Sequence, residues 1–146
     1  MRVSRVLETC VYADDLEAAE RFYSTVLGME VIAREPGRHV FFRCGRGVFL
    51  VFNPERTSAP SPAVGGSIVP LHGARGAGHA AFAISEREIT LWRERLGHHG
   101  VDVESDMEWP GGGRSLYLRD PAGNCIELAT PAVWGLEEEE GPNSGR

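Results

Sequence analysis

The chain has 146 residues, 42% of them hydrophobic and 25% charged, the make-up of one water-soluble domain or of two small modules sharing a core. Its net charge of −6 owes most to residues 137–140, all glutamate, and no basic stripe remains to hold nucleic acid, so that partner is not expected. The longest apolar run, residues 48–52, is too short to cross a membrane, and no apolar stretch follows Arg2 and Arg5, so no membrane association and a cytoplasmic location are expected.

Residues 3–13 read as a strand, with Glu8, Cys10 and Tyr12 on one face and Thr9, Val11 and Ala13 on the other. Asp14 or Asp15 then offers a helix N-cap, and Leu16, Ala19, Phe22, Tyr23 and Val26 recur at helical spacing until Gly28. Strands are predicted over 30–34, 40–44 and 48–52, with EPGR and CGRG as turns. Residues 53–78 are rich in Pro, Gly, Ala and Ser and long for a connection inside a compact domain, which suits a linker or a cover over a site.

The order then repeats. A strand over 79–84 leads to a helix carrying Ile89, Trp92 and Leu96, followed by strands over 101–109, 114–119 and 125–129. The pattern is β-α-β-β-β twice, an α+β fold. The expected modules are residues 1–54 and 78–134, joined by a loop over 55–77, with a disordered acidic tail over 135–146.

The two halves also echo each other in sequence. RCGRGVFLVFNP matches DPAGNCIELATP at a shift of 77 positions, which pairs Leu50 with Glu127. ETCVYADDLEAAERFYSTVLG matches HAAFAISEREITLWRERLG and pairs Glu8 with His79. Cys10, Cys44 and Cys125 are far apart and form no CxxC pair, so neither a disulfide framework nor a thiolate zinc site is indicated.

With RDPAGNCIEL in its second half and LETCVYADDLEAAERFY near its start, the sequence resembles the vicinal oxygen chelate superfamily. That superfamily includes glyoxalase I, extradiol dioxygenases, methylmalonyl-CoA epimerase, fosfomycin-resistance transferases and bleomycin-resistance proteins. The resemblance spans roughly residues 3 to 131 and implies two βαβββ modules whose mixed sheets curl into an open cup with helices outside, commonly in a homodimer. It places the metal-ligand positions on Glu8, Leu50, His79 and Glu127. Leucine cannot bind a metal, and Glu8 stands where histidine is usual, so the implied set is Glu8, His79 and Glu127.

Two carboxylates and a neutral imidazole carry −2, which balances a divalent ion; the resemblance leaves Fe, Mn, Ni, Zn and Mg open. Three ligands leave coordination positions for a substrate with two neighbouring oxygens. The segment SLYLRDPAG matches a fosfomycin-transferase pattern and puts Ser115 and Tyr117 on the face of Glu127. Tyr117 then either bonds a metal-bound oxygen or simply packs. The repeat carries Ser115 back to His39, either a general base or a strand-edge residue. Tyr12, Phe52 and Trp109 are candidate substrate walls or ordinary core, and His72 lies in the long loop with nothing in the sequence to fix it.

The expectation is a metal-dependent enzyme, a dioxygenase or a lyase or isomerase, acting on a small chelating substrate. The missing fourth ligand weighs against glyoxalase I and the epimerase. The alternative is a non-catalytic, antibiotic-sequestering protein of the bleomycin-resistance type, which would shield a flat ligand in an aromatic groove.

Overall fold

A computed structural model describes residues 1–60 and 62–138. Two four-stranded sheets form its framework, the first ordered β1-β4-β3-β2 and the second β5-β8-β7-β6. Each follows the βαβββ plan, and residue contacts divide the chain into two compact units. The first holds Met1–Ala80 with Asp120–Asn124, and the second holds Ala81–Arg119 with Cys125–Arg146.

In the first unit, β1 (Glu8–Tyr12) runs parallel to β4 (Gly47–Phe52), while β2 (Glu30–Glu35), β3 (His39–Cys44) and β4 are antiparallel neighbours. Residues 3–7 lie outside the strand predicted from residue 3, and Val3, Val6 and Leu7 are exposed. The partner strand explains the boundary. Val48 N–H donates to the Leu7 carbonyl, and β4 starts at Gly47, so the chain before Leu7 has no strand to pair with.

Asp15 is the N-cap of α1 (Leu16–Arg21), its carboxylate accepting from the Ala18 N–H at 2.9 Å. The helix runs on as a π-helical turn, Phe22–Val26, and the chain reverses at Gly28, where φ is +73°. Ala19, Phe22, Tyr23 and Val26 are all buried, at the i, i+3, i+4, i+7 spacing of one helical face. Tyr23 meets Phe49 and Phe42 at ring-centroid distances of 4.8 and 5.5 Å. With Val11, Val40 and Val51, these rings fill the side of the first sheet that faces the helix. Burying each large side chain contributes about 1.5–3 kcal/mol.

The second unit repeats the scheme. After β5 (His79–Ala83), a short 3₁₀ turn, Glu86–Glu88, leads into α2 (Ile89–His98), followed by β6 (Ser105–Glu108), β7 (Arg114–Arg119) and β8 (Cys125–Ala129). Leu116, Leu118, Ile126 and Leu128 alternate along β7 and β8 and are almost wholly buried. At the start of the 3₁₀ turn, Glu138 accepts from both Ser85 Oγ and the Glu86 N–H at 2.8 Å, capping the orphan donors there. Of the expected acidic tail, residues 139–146 lie outside the described residues.

The turn between β7 and β8, Asp120–Asn124, packs with the first unit. Asp120 is 4% exposed and its carboxylate is densely bonded. Oδ2 accepts from Tyr23 Oη at 2.7 Å and from Asn124 Nδ2 at 2.8 Å, while Oδ1 accepts from the backbone N–H groups of Ala122 and Asn124. Asn124 reaches further, donating to the Tyr12 carbonyl and accepting from the Gly78 N–H. Burial, then the Asp120 charge, drives the Tyr23 phenol far above its ordinary pKa, so it stays a donor.

A hydrogen bond to a charged group contributes about 1.5–3 kcal/mol. Tyr23→Phe is therefore expected to lower unfolding free energy by about that much in urea titration. Asp120→Ala, which strands several buried donors, is expected to cost at least about 3 kcal/mol.

Candidate functional site

Strand parity divides each sheet into a core face and a second face. In the first unit the register aligns Cys10 with Leu50 and Phe41, and Tyr12 with Phe52 and His39. These six side chains share the face opposite Val11, Phe42 and Phe49. Glu8, opposite Val48 at the start of β1, shares it too and is exposed. Leu50 is 7% exposed. At the place where the resemblance would put a fourth ligand, the first sheet carries a buried aliphatic group.

This face is aromatic. His39 stacks on Phe41 with centroids 4.0 Å apart and ring planes 11° from parallel, and Phe41 meets Phe52 edge-on at 5.2 Å. His72 comes from the long loop. Its imidazole lies edge-on to Phe52 at 4.7 Å, its Nδ1 is 2.9 Å from Tyr12 Oη, and its backbone N–H donates to the Thr57 carbonyl. Tyr12, half-buried here, is thus tied to a residue whose position no sequence pattern specified.

His39 Nδ1 is buried and makes no hydrogen bond among the described residues, with Glu35 Oε2 at 3.8 Å. Burial lowers the His39 pKa, Glu35 opposes that shift, and Arg38 adds to it. The imidazole is therefore held neutral and able to accept a proton.

In the second unit, β6, β7 and β8 align Met107 with Ser115 and Ala129, and Ser105 with Tyr117 and Glu127. Ser115, Tyr117, Cys125 and Glu127 consequently share the face away from Leu116 and Leu128. Glu127 is buried, at 7% exposure, and is met by hydroxyls. Ser115 Oγ donates to its Oε1 at 2.5 Å, and the Tyr117 phenol also bonds its carboxylate. Burial, then the bond to Glu127, raises the Tyr117 pKa, so this phenol remains protonated and donating. Trp109 completes the group, its Nε1–H donating to Ser115 Oγ at 2.9 Å.

Arg114 turns to carboxylates of its own unit, with Asp106 and Glu108 oxygens each at 3.8 Å. His79 is the exposed first residue of β5 (His79–Ala83), as Glu8 is of β1. Thus the structure gathers Ser115, Tyr117, Trp109 and Glu127 in the second unit, and Tyr12, His39 and Phe52 in the first. Glu8 and His79 belong by contacts to the first unit and Glu127 to the second. Among the described residues no group of three or more His, Cys, Asp or Glu side chains within one chain is arranged to hold a metal ion. Phe41 and His72 are members of the aromatic face that the sequence did not mark as such.

The model of the Glyoxalase/Bleomycin resistance protein/Dioxygenase superfamily matches residues 5–128. The chain belongs to this superfamily. Within the superfamily fold, the crystal structure of lactoylglutathione lyase from Agrobacterium tumefaciens superposes with a TM-score of 0.86. It is 41% identical, and the match covers 93% of this chain and all of that one. Metallothiol transferase FosB of Bacillus licheniformis is 26% identical over 121 residues, or 82% of this chain and 71% of FosB. The fosfomycin resistance protein FosX of Mesorhizobium loti shares the fold, with a TM-score of 0.59 and 23% identity over 89% of this chain and 93% of that one.

The His39 environment has a measurable consequence. Because its folded pKa lies below that of an exposed imidazole, the unfolded chain binds the proton more readily. Stability is expected to fall as pH drops through about 6.5 toward the folded value. His39→Gln should flatten that slope, and the His39 ring signals in an NMR titration should show a midpoint below that of an exposed histidine.

Proposed function

We propose that this chain is a divalent-metal-dependent enzyme acting on a small substrate that offers two neighbouring oxygens, with Glu8, His79 and Glu127 as the metal ligands. The observation that carries this reading is the buried Glu127 carboxylate, held among hydroxyl donors on the face away from the core. Enclosing a carboxylate is costly unless it is hydrogen-bonded and faces a positive partner.

The donor chemistry fits such an ion. Two carboxylates and one imidazole balance a double positive charge, and the oxygen-rich set suits Mn, Fe or Mg, while Ni and Zn also accept imidazole. The name of the FosB relative, a metallothiol transferase, supports the same chemistry. A homodimer, whose two copies share the ligands, is part of the proposal.

When bound, the ion acts as a Lewis acid toward the substrate's oxygens. The remaining work falls to the side chains. His39, whose burial favours the neutral imidazole, is the proton acceptor. Tyr117, kept protonated, gives its one proton to the Glu127 carboxylate and so steadies that ligand. Tyr12, Phe41 and Phe52 form an apolar wall for the body of the substrate, and Ser115 orients Glu127.

The second reading, a non-catalytic binder of a flat ligand, draws its support from that aromatic wall. Metal decides between the two. With Mn, Ni or Zn at a hundredfold excess over Kd, the melting temperature should rise by roughly 8 °C. Glu127→Gln, Glu8→Gln and His79→Ala should each remove most of that rise. No rise with any of the ions in the unmodified protein would defeat the enzyme reading and leave the binder.

Substrate turnover, once a substrate is found, should depend on His39. His39→Gln is expected to lower kcat by about 10²–10⁴-fold, the usual contribution of a general base. An unchanged kcat would remove His39 from the mechanism while leaving the metal ligands untouched.

A further inference from the structure

We infer that Trp109 is a positioning residue for Glu127, acting through the Ser115 hydroxyl. The inference rests on the reading of Glu127 as a metal ligand. Its basis is the direction in which three groups must donate. An indole N–H can only donate, so at 2.9 Å it makes Ser115 Oγ its acceptor. A serine hydroxyl has one proton, and with the indole supplying another, that proton goes to Glu127 Oε1 at 2.5 Å.

Ser115 is completely buried, so no water competes for either bond. The Tyr117 oxygen, which bonds Glu127, is a second group beside that hydroxyl. The Trp109 N–H occupies one lone pair of the serine oxygen and thereby fixes the hydroxyl's rotation toward the carboxylate. Glu127 is thus held in one orientation.

The backbone holds the indole where this requires it. Trp109 N–H donates to the Gly113 carbonyl at 3.0 Å, and Gly112 N–H donates back to the Trp109 carbonyl at 2.9 Å, closing the turn after β6. Gly113 sits at φ +85°, and a Cβ there would collide with the backbone of Ala132 and Val133. Gly113 therefore lets the turn lie tight against the 3₁₀ segment Pro131–Trp134. That turn delivers Trp109 to Ser115.

Cobalt(II) binding to the full chain tests this, followed by visible d–d absorption and by competition with a chromophoric chelator. Outer hydrogen bonds to metal ligands typically contribute 10–100-fold in affinity. Trp109→Phe, which keeps the ring but removes the N–H, is expected to weaken cobalt binding about 10-fold and to alter the d–d band. Ser115→Ala is expected to do the same or more. In the double variant the Trp109 effect should vanish, because the path through Ser115 is already cut.

Equal affinity in Trp109→Phe and the unmodified chain would overturn the inference, as would additive losses, which would mark Trp109 as packing only. Melting of each variant without cobalt reports whether it folds. Should Trp109→Phe fail to fold, Ser115→Ala decides, and undiminished affinity there overturns the relay. A wild-type chain that binds no cobalt defeats the metal reading itself, an outcome distinct from bound cobalt that ignores Trp109.

Discussion

One buried carboxylate, Asp120, organises the first unit. It stands outside that unit's own βαβββ segment, more than sixty residues past β4 in sequence, yet it accepts the phenol of Tyr23, the keystone of the α1 face. Its second oxygen fixes the turn that follows it, and through Asn124 the same turn reaches the backbone of Tyr12 and Gly78. Tyr12 lies on the aromatic face and Gly78 directly precedes His79. A single side chain thus ties the helix packing to the ends of β1 and β5. No apolar substitute could do this, because the turn's N–H groups would remain buried and unsatisfied.

Much of this was legible in the sequence. Alternation along RSLYLR and CIELA placed Ser115, Tyr117 and Glu127 on one face, and the register of β7 with β8 agrees. The helical spacing of Ala19, Phe22, Tyr23 and Val26 named the residues that are buried on the first sheet. DPAGN stood out as a signature, but its purpose did not. Nothing in five letters says that an aspartate will accept from a tyrosine near the other end of the chain. His72 was equally silent, since a loop without periodicity offers no parity from which to infer direction. The apolar ring of Trp109 suits a substrate wall or ordinary core, and the sequence does not show that its one polar atom bonds Ser115, since side-chain direction at the end of a strand is set by the turn beyond it.

The two second faces are chemically unlike despite their common plan. Where the repeat pairs Leu50 with Glu127, the first sheet buries a hydrocarbon and the second a hydrogen-bonded carboxyl group. The surroundings follow suit, with Phe41 and Phe52 about the leucine and Ser115 and Tyr117 about the glutamate. Membership of the superfamily accounts for the shared plan, while the side chains make one face aromatic and the other polar.

The imidazole of His72 makes a loop without periodicity part of the aromatic face. It occupies the edge of Phe52 and bonds the Tyr12 hydroxyl, while its own backbone N–H is held by the Thr57 carbonyl. The chain's own ring thus closes that edge, and the outline of the face is set by where the loop is anchored as much as by the strands.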